Sequence, residues 1–137
     1  LMRLKSDLLE LLLRATDGTL DQVELQWDRR FALGVVMAAS GYPQAPRTGD
    51  AIQGLPAVGS GHGARVGDTD AHVFHAGTTL GADGVVRTSG GRVLCVTALG
   101  DSARQAQQHA YEALSPIHFE CAQWRRDIGH RALKANR

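Results

Sequence analysis

The fold is decided by the stretch Arg87-Thr88-Ser89-Gly90-Gly91-Arg92-Val93-Leu94-Cys95-Val96-Thr97-Ala98-Leu99-Gly100. Its centre, from Val93 to Val96, is an unbroken apolar run that predicts a strand buried on both faces. Gly90-Gly91 predicts a sharp turn just before the strand, because glycine enters positive φ without strain. Such a turn followed by Arg92 can cradle an anion through bare N–H groups and a fixed cation. From spacing alone, a hairpin turn with a surface arginine is the favoured interpretation, because short glycine motifs often occur without a ligand.

Composition limits the class of protein. A length of 137 residues predicts one domain, or one domain and a fragment of another. A formal net charge of +1 argues against a dedicated nucleic-acid binder, and no apolar run reaches the roughly 18 residues of a membrane span. Cys95 and Cys121 match no metal or redox spacing, so we interpret them as buried, reduced thiols of a cytosolic protein. The chain starts with Leu1 rather than methionine, which suggests a piece of a larger protein.

Working outward, the sequence predicts short antiparallel strands with few helices. Gly81 to Gly84 is a hairpin signal between Thr78–Leu80 and Val85–Thr88. Asp101-Ser102 caps a helix from about Ala103 to Leu114, whose face of small residues suits close packing on a sheet. The apolar run from Phe31 to Ala39 is typical of a central strand, and a leucine-rich helix precedes it at about 6–16. This pattern is an α+β domain.

Three further segments can be interpreted either as purely structural or as functional. Val58 to Asp70 is glycine-rich but lacks the Lys-Ser/Thr of a phosphate loop, so a flexible insertion is favoured, and His62 within it is given no role. His75 has no partner at metal spacing and is interpreted as a hydrogen-bonded strand histidine. The basic tail from Gln123 to Arg131 fits a nucleic-acid contact or ion pairs within the chain, and the near-neutral charge favours ion pairs.

Several blocks resemble the C-terminal part of glycinamide ribonucleotide synthetase, also called phosphoribosylamine–glycine ligase. They occur in the order of that family and cover nearly the whole chain. The blocks are Arg3-Leu4-Lys5-Ser6-Asp7-Leu8, Leu33 to Ala39, Gly41-Tyr42-Pro43, Val73 to Thr78, Ser89 to Gly100 and Arg125 to Ala132. Gln44-Ala45-Pro46 departs from this pattern, because the family usually has Gly-Asp-Tyr there.

The resemblance implies an ATP-grasp ligase of de novo purine synthesis in the cytoplasm. Such an enzyme activates glycine with ATP as glycyl phosphate, which the amine of 5-phosphoribosylamine then attacks. Mg²⁺ or Mn²⁺ neutralises charge in phosphoryl transfer of this kind. The ligands of ATP and metal would lie upstream of Leu1, so no catalytic residue is expected within this chain, which alone should be inactive. The expected partners are the three substrates and the rest of the same polypeptide, without nucleic acid or membrane.

The resemblance also implies domain bounds and a fold. Residues 1–27 would be the C-terminal end of the ATP-grasp domain, including its last helix. Residues 28–137 would form the C-terminal domain of the ligase. That domain would be small, mostly antiparallel and barrel-sandwich-like (a rudiment single hybrid motif) with one flanking helix, and it would close one side of the active site.

The substrate-binding candidates follow from the same resemblance. In related ATP-grasp enzymes an arginine beside a glycine turn meets the 5′-phosphate of the substrate, and Ser89-Gly90-Gly91-Arg92 matches that position. Lys5 and Tyr42 are further candidates.

Two other classes of function stay open. One is a stand-alone barrel-sandwich-type binding module without catalysis. A biotin or lipoate carrier of that type would need a lysine at a hairpin tip, where this chain has Ala82-Asp83-Gly84. The other is an RNA-contacting domain that uses the basic tail, which steep salt dependence of binding would reveal.

Overall fold

The computed structural model describes residues 1–56, 64–65 and 70–134, with backbone alone for 64–65. Most of the glycine-rich segment from Val58 to Asp70 therefore lies outside the described residues, and so does His62. Its described parts contact other segments of the chain. Ala64 and Arg65 pair with a neighbouring strand, and the carboxylate of Asp70 pairs with the guanidinium of Arg30.

The chain contains three α-helices, one 3₁₀ turn and six strands within the described ranges. The helices are α1 (Leu8–Thr16), α2 (Ala103–Leu114) and α3 (His130–Lys134), and the 3₁₀ turn is Leu20–Gln22. The strands are β1 (Phe31–Ala38), β2 (Ala64–Arg65), β3 (Ala71–His75), β4 (Thr78–Leu80), β5 (Val86–Thr88) and β6 (Arg92–Gly100).

All strand pairs are antiparallel, and β6 lies inside the main sheet. The four-stranded sheet has the order β1-β6-β3-β2, while β4 and β5 form a separate hairpin. The prediction of a small α+β domain with antiparallel sheets is confirmed, although the sheets do not close into a barrel. The prediction that Phe31 to Ala39 is a central strand is wrong, because β1 is at an edge of the sheet and β6 is its only partner among the strands that the structure describes.

The hydrophobic core lies between the main sheet and α2. Leu94, Val96 and Ala98 alternate along β6 and are at most 1% exposed. Ala106 and Ala110 of α2 are fully buried, and such small side chains let a helix approach a sheet closely. Burial of each valine or leucine stabilises the fold by about 1.5–3 kcal/mol.

The other face of the main sheet is open to solvent over much of its area. Cys95 and Thr97 alternate with the buried residues of β6, and both are half-buried. Phe74 of β3 and Val36 of β1 are more than a third exposed. The prediction that β6 is buried on both faces is therefore wrong for its central part. A sheet with one buried face usually shows alternating apolar and polar residues, but Val36, Phe74 and Cys95 on the open face are apolar as well. This composition hid the alternation in the sequence.

The first 28 residues, here called the N-terminal lobe, are held together by backbone pairing of their two ends. Arg3 and Asp28 join its two ends, since the Asp28 N–H donates to the Arg3 carbonyl at 2.6 Å. The helix predicted at about 6–16 spans Leu8–Thr16, and Asp7 caps it by accepting from the Glu10 N–H at 3.1 Å. Leu11 is the buried residue of α1, and it is not part of the core cluster beneath the sheet.

An ion-paired cluster ties the lobe to the sheet. The carboxylate of Asp28 accepts from the Arg30 guanidinium at 2.8 Å, and Arg30 also reaches Asp70 beside β3. The hydrogen bonds from the Arg30 side chain hold the pKa of the Asp28 carboxyl well below its ordinary value of 3.8. The same contacts raise the pKa of Arg30.

We expect Asp28→Asn to remove part of the acid sensitivity of folding. A carboxyl whose pKa is lowered in the folded state stabilises the fold above its unfolded pKa, and this contribution is lost as the pH falls below about 4. The variant should therefore unfold at lower urea than the parent chain at pH 7, and the difference should shrink toward pH 2. Asp21→Asn is the control, because Asp21 has no ion pair among the described residues. A difference that is equal at both pH values would contradict the prediction.

Candidate functional site

The turn Ser89–Arg92 is positioned by a close backbone contact with Gly77. The Gly77 N–H donates to the Arg92 carbonyl at 2.8 Å, and the Ser89 N–H donates to the Gly77 carbonyl at 2.8 Å. A Cβ on Gly77 would lie 2.8 Å from the Gly90 Cα, which is closer than real contacts allow. Neither Gly90 nor Gly91 has a positive φ. The prediction that these glycines are needed for positive φ is therefore wrong. They are needed because Gly77 lies close to Gly90, and the Tyr42 ring lies close to Gly91.

Gly77→Ala is expected to displace the turn and lower the melting temperature by several degrees. Forced overpacking of this kind typically destabilises by about 1–3 kcal/mol, and the obstructing atoms are backbone atoms that cannot rotate away. Gly90→Ala is the matched control, because its Cβ would meet the Gly77 Cα at 3.3 Å, a milder contact. Calorimetry of the two variants tests this order. The prediction fails if Gly90→Ala is the more damaging change.

Tyr42 reaches the turn from a loop between β1 and the segment that pairs with β5. The loop is fixed at one end by the Ala39 N–H, which donates to the Gly91 carbonyl at 2.8 Å. Its other end is fixed by the Gly49 N–H, which donates to the Thr88 carbonyl at 2.7 Å. A Cβ on Gly91 would lie 2.5 Å from the Tyr42 ring. The ring therefore packs directly on the backbone of the turn.

A hollow of about 560 Å³ lies where this loop, the turn and the open sheet face meet. Tyr42, Gly91 and Arg92 line it, so the structure brings three of the predicted site residues together. The other lining residues are Val36, Pro43, Pro46, Ala76, Leu94 and Cys95, which sequence reasoning did not assign to the site. Pro43 lies beside Tyr42 in the sequence and was a detectable signal. Val36 and Cys95 were not detectable, because only the exposure of the sheet face brings them there.

The guanidinium of Arg92 has no carboxylate partner among the described residues. This distinguishes it from Arg47 and Arg87, which pair with Asp50 and Asp83 at 2.8 Å each. Arg92 begins β6 and is exposed at the edge of the hollow, while the strand behind it is buried. An exposed cation on a rigid strand, next to an aromatic ring, is suited to an anionic ligand that also has an apolar surface.

The remaining candidates lie in different positions. Ser89 and Gly90 belong to the turn but do not line the hollow, and Ser89 is exposed. Lys5 lies in the N-terminal lobe, where its N–H donates to the Gln26 carbonyl at 2.9 Å, and it does not line the hollow either. The structure of this chain alone therefore does not bring Lys5 to Arg92.

The other polar candidates have structural roles. His75 contacts the Thr78 hydroxyl through Nδ1 at 3.1 Å, as expected of a hydrogen-bonded strand histidine. In the basic tail Arg125 pairs with Asp127 at 2.7 Å, which agrees with the interpretation of ion pairs within the chain. This pairing lowers the pKa of the Asp127 carboxyl. In the parts of the chain that the structure describes, no group of three or more metal-ligating side chains could hold an ion.

The cysteines differ from the sequence prediction in burial but not in oxidation state. Both are free thiols. Cys95 is half-buried on the open sheet face, and Cys121 is exposed, so the expectation of buried thiols is wrong. A hydrogen bond to Glu120 raises the pKa of the Cys121 thiol, which favours the unreactive protonated form. Over the residues described, no helix is long and apolar enough to span a bilayer.

The architecture is that of a ligase domain of known structure. It is similar to the crystal structure of phosphoribosylamine–glycine ligase from Thermotoga maritima, with a TM-score of 0.64 and 35% sequence identity. This likeness covers 87% of the present chain and 27% of that one. The family described as phosphoribosylglycinamide synthetase, C domain, matches residues 32–131, and the chain belongs to this family.

The curated relatives are phosphoribosylamine–glycine ligases. The protein of that name from Ralstonia nicotianae is 54% identical over 132 residues, which cover 96% of this chain and 29% of the relative. The protein from Escherichia coli O6:H1 is 51% identical over 134 residues, or 98% of this chain and 29% of the relative. The chain thus spans about three tenths of the length of these relatives and corresponds to their C-terminal part.

Proposed function

We propose that this chain is the C-terminal part of a phosphoribosylamine–glycine ligase of purine synthesis, and that it closes one side of the active site. In the proposed reaction a carboxylate oxygen of glycine takes the γ-phosphoryl group of ATP, which gives glycyl phosphate and ADP. The amine of 5-phosphoribosylamine then attacks the acyl carbon. Phosphate leaves, a proton is lost, and the amide of glycinamide ribonucleotide remains.

The observation that carries the proposal is the Arg92 guanidinium beside Tyr42 in one hollow, within a chain of this family. We assign Arg92 the phosphate of 5-phosphoribosylamine, because a guanidinium binds phosphate through two parallel hydrogen bonds. Gly91 and Gly90 keep that approach free of side chains, with Ser89 at the exposed end of the turn. Tyr42 would pack against the ribose.

Other parts of the proposal depend on the longer polypeptide. We place the site of ATP and of Mg²⁺ or Mn²⁺ in an ATP-grasp domain outside these residues, and the bound metal would neutralise phosphate charge during phosphoryl transfer. Residues 1–27, which include α1, would be the end of that domain, and residues 28–137 the C-terminal domain. A role for Lys5 would require a contact made only in that longer chain. We propose a cytoplasmic location, as for other enzymes of soluble metabolites.

A chimera tests the proposed function. The present chain replaces the corresponding C-terminal part of the Escherichia coli relative, to which it is 51% identical. Release of ADP is then measured with glycine and 5-phosphoribosylamine. We expect turnover within about tenfold of the parent ligase, since a homologous domain preserves the substrate contacts. A chimera that folds and binds ATP but does not turn over would contradict the assignment.

A further inference from the structure

We propose that Thr88 is a positioning residue, which holds the loop of Tyr42 and the turn of Arg92 in a fixed relation. This inference rests on the proposed function, because it concerns the same hollow. Thr88 ends β5, directly before the turn, and its residue surface is only 1% exposed. It does not line the hollow.

Thr88 makes three hydrogen bonds to the far end of the Tyr42 loop. Its carbonyl accepts from the Gly49 N–H at 2.7 Å, and its N–H donates to the Asp50 carbonyl at 2.9 Å. Its hydroxyl oxygen accepts from the Asp50 N–H at 3.1 Å. The hydroxyl bond is the only one of the three that a side-chain substitution can remove.

The surroundings make this side-chain bond important. Asp50 is itself only 9% exposed, so its N–H has little access to water if the hydroxyl is absent. A buried donor without an acceptor is unfavourable, and the loop would shift to recover a partner. The Arg47 guanidinium pairs with the Asp50 carboxylate at 2.8 Å and would move with it. Because Tyr42 packs on Gly91, a shift of the loop would change the shape of the hollow.

The test uses variants of the complete ligase that contains this chain. Thr88→Val keeps the shape of the side chain and removes the acceptor, whereas Thr88→Ser keeps the acceptor. Thr79→Val is the matched control, since Thr79 is exposed in β4 and lies opposite Arg87. We expect Thr88→Val to raise the KM for 5-phosphoribosylamine roughly tenfold, with kcat and the KM for ATP and glycine nearly unchanged, because fewer molecules hold the binding arrangement. Thr88→Ser should stay within about threefold of the parent enzyme.

A double variant separates positioning from general damage. If Thr88 acts through the Tyr42 loop, then Thr88→Val combined with Tyr42→Ala should have the same KM as Tyr42→Ala alone. Additive effects, an unchanged KM in Thr88→Val, or equal damage from Thr88→Ser would each overturn the positioning role. If Thr88→Val does not fold, Thr88→Cys takes its place, because a thiol is a weak acceptor of similar size.

The two proposals can fail separately. If Arg92→Ala leaves the KM for 5-phosphoribosylamine unchanged, the proposed function of the hollow is wrong, and the positioning role fails with it. If Arg92→Ala raises this KM and Thr88→Val does not, the positioning role alone is wrong.

Discussion

Replacing Arg92 by alanine in a complete ligase that contains this chain should raise the KM for 5-phosphoribosylamine about tenfold or more. Hydrogen bonds to charged groups contribute roughly 1.5–3 kcal/mol, which corresponds to a factor of about ten to more than a hundred in affinity. The KM for ATP and for glycine should change little, because their contacts lie elsewhere in the proposal. Steady-state kinetics with each substrate varied in turn measures the three values.

Two further variants sharpen this result. Arg92→Lys keeps the charge but not the planar fork of donors, so its KM should lie between those of the parent and the alanine variant. Arg104→Ala is the control, since Arg104 is exposed on α2 and forms no ion pair within the described part of the chain. The assignment of Arg92 is wrong if Arg92→Ala and Arg104→Ala give the same KM for 5-phosphoribosylamine.

The second large effect is self-association of the isolated 137-residue chain through α1. Four leucines of this short helix are far from buried, with exposures of 43%, 66%, 56% and 55% for Leu8, Leu9, Leu12 and Leu13. Each leucine left in water forgoes part of the roughly 1.5–3 kcal/mol that burial provides. A contiguous apolar patch of this kind normally marks an interaction surface. In the isolated chain the available partner of matching chemistry is a second copy of the same helix.

Sedimentation velocity tests this expectation. The apparent mass should about double as the concentration rises from roughly 1 to 100 μM, a range typical of weak association. Changing Leu9, Leu12 and Leu13 together to glutamine, or removing the first 18 residues, should give a monomer that stays folded. Leu80→Gln is the control, because Leu80 is 70% exposed but lies alone on β4. The isolated chain should also release no ADP with glycine and 5-phosphoribosylamine. A monodisperse monomer with α1 intact would show that the helix needs no partner.

Local signals were sufficient to predict most individual elements. The helix from Ala103 to Leu114 begins and ends as expected, because Ser102 caps it by accepting from the Gln105 N–H. The hairpin of β4 and β5 forms around Gly81 to Gly84, as its glycine turn predicts. The cap and the turn depend on residues that are only a few positions apart, so both can be recognised in the sequence.

The sequence could not reveal how the strands are arranged. An apolar edge strand and an apolar central strand have similar compositions, so Phe31 to Ala39 gave no sign of its edge position. Only the sheet order, in which β6 lies on one side of β1 and no described strand lies on the other, places it there. The exposure of Phe31 and Val36 likewise follows from the arrangement of layers, not from their own residue types.

The candidate site likewise has parts that the sequence predicted and parts that only the folded structure shows. Arg92 and its glycine turn form a local motif, and the family resemblance added Tyr42. The contact between Gly77 and Gly90 joins two segments and was not visible in either of them. Lys5 stays a prediction, since pairing of residues 3–5 with 26–28 holds it in the N-terminal lobe and away from the hollow.

The loop that carries Tyr42 is fastened at both ends to the segment that bears Arg92, by Ala39 to Gly91 and by Gly49 to Thr88. The residues in the middle of the loop can therefore change in sequence while the two ends of the loop keep their positions. The stretch Gln44-Ala45-Pro46, which departs from the usual family pattern, lies in that interior, and Pro46 lines the hollow. Substitutions in this part of the loop can thus change the shape of the hollow while Arg92, which lies on a different segment, keeps its position.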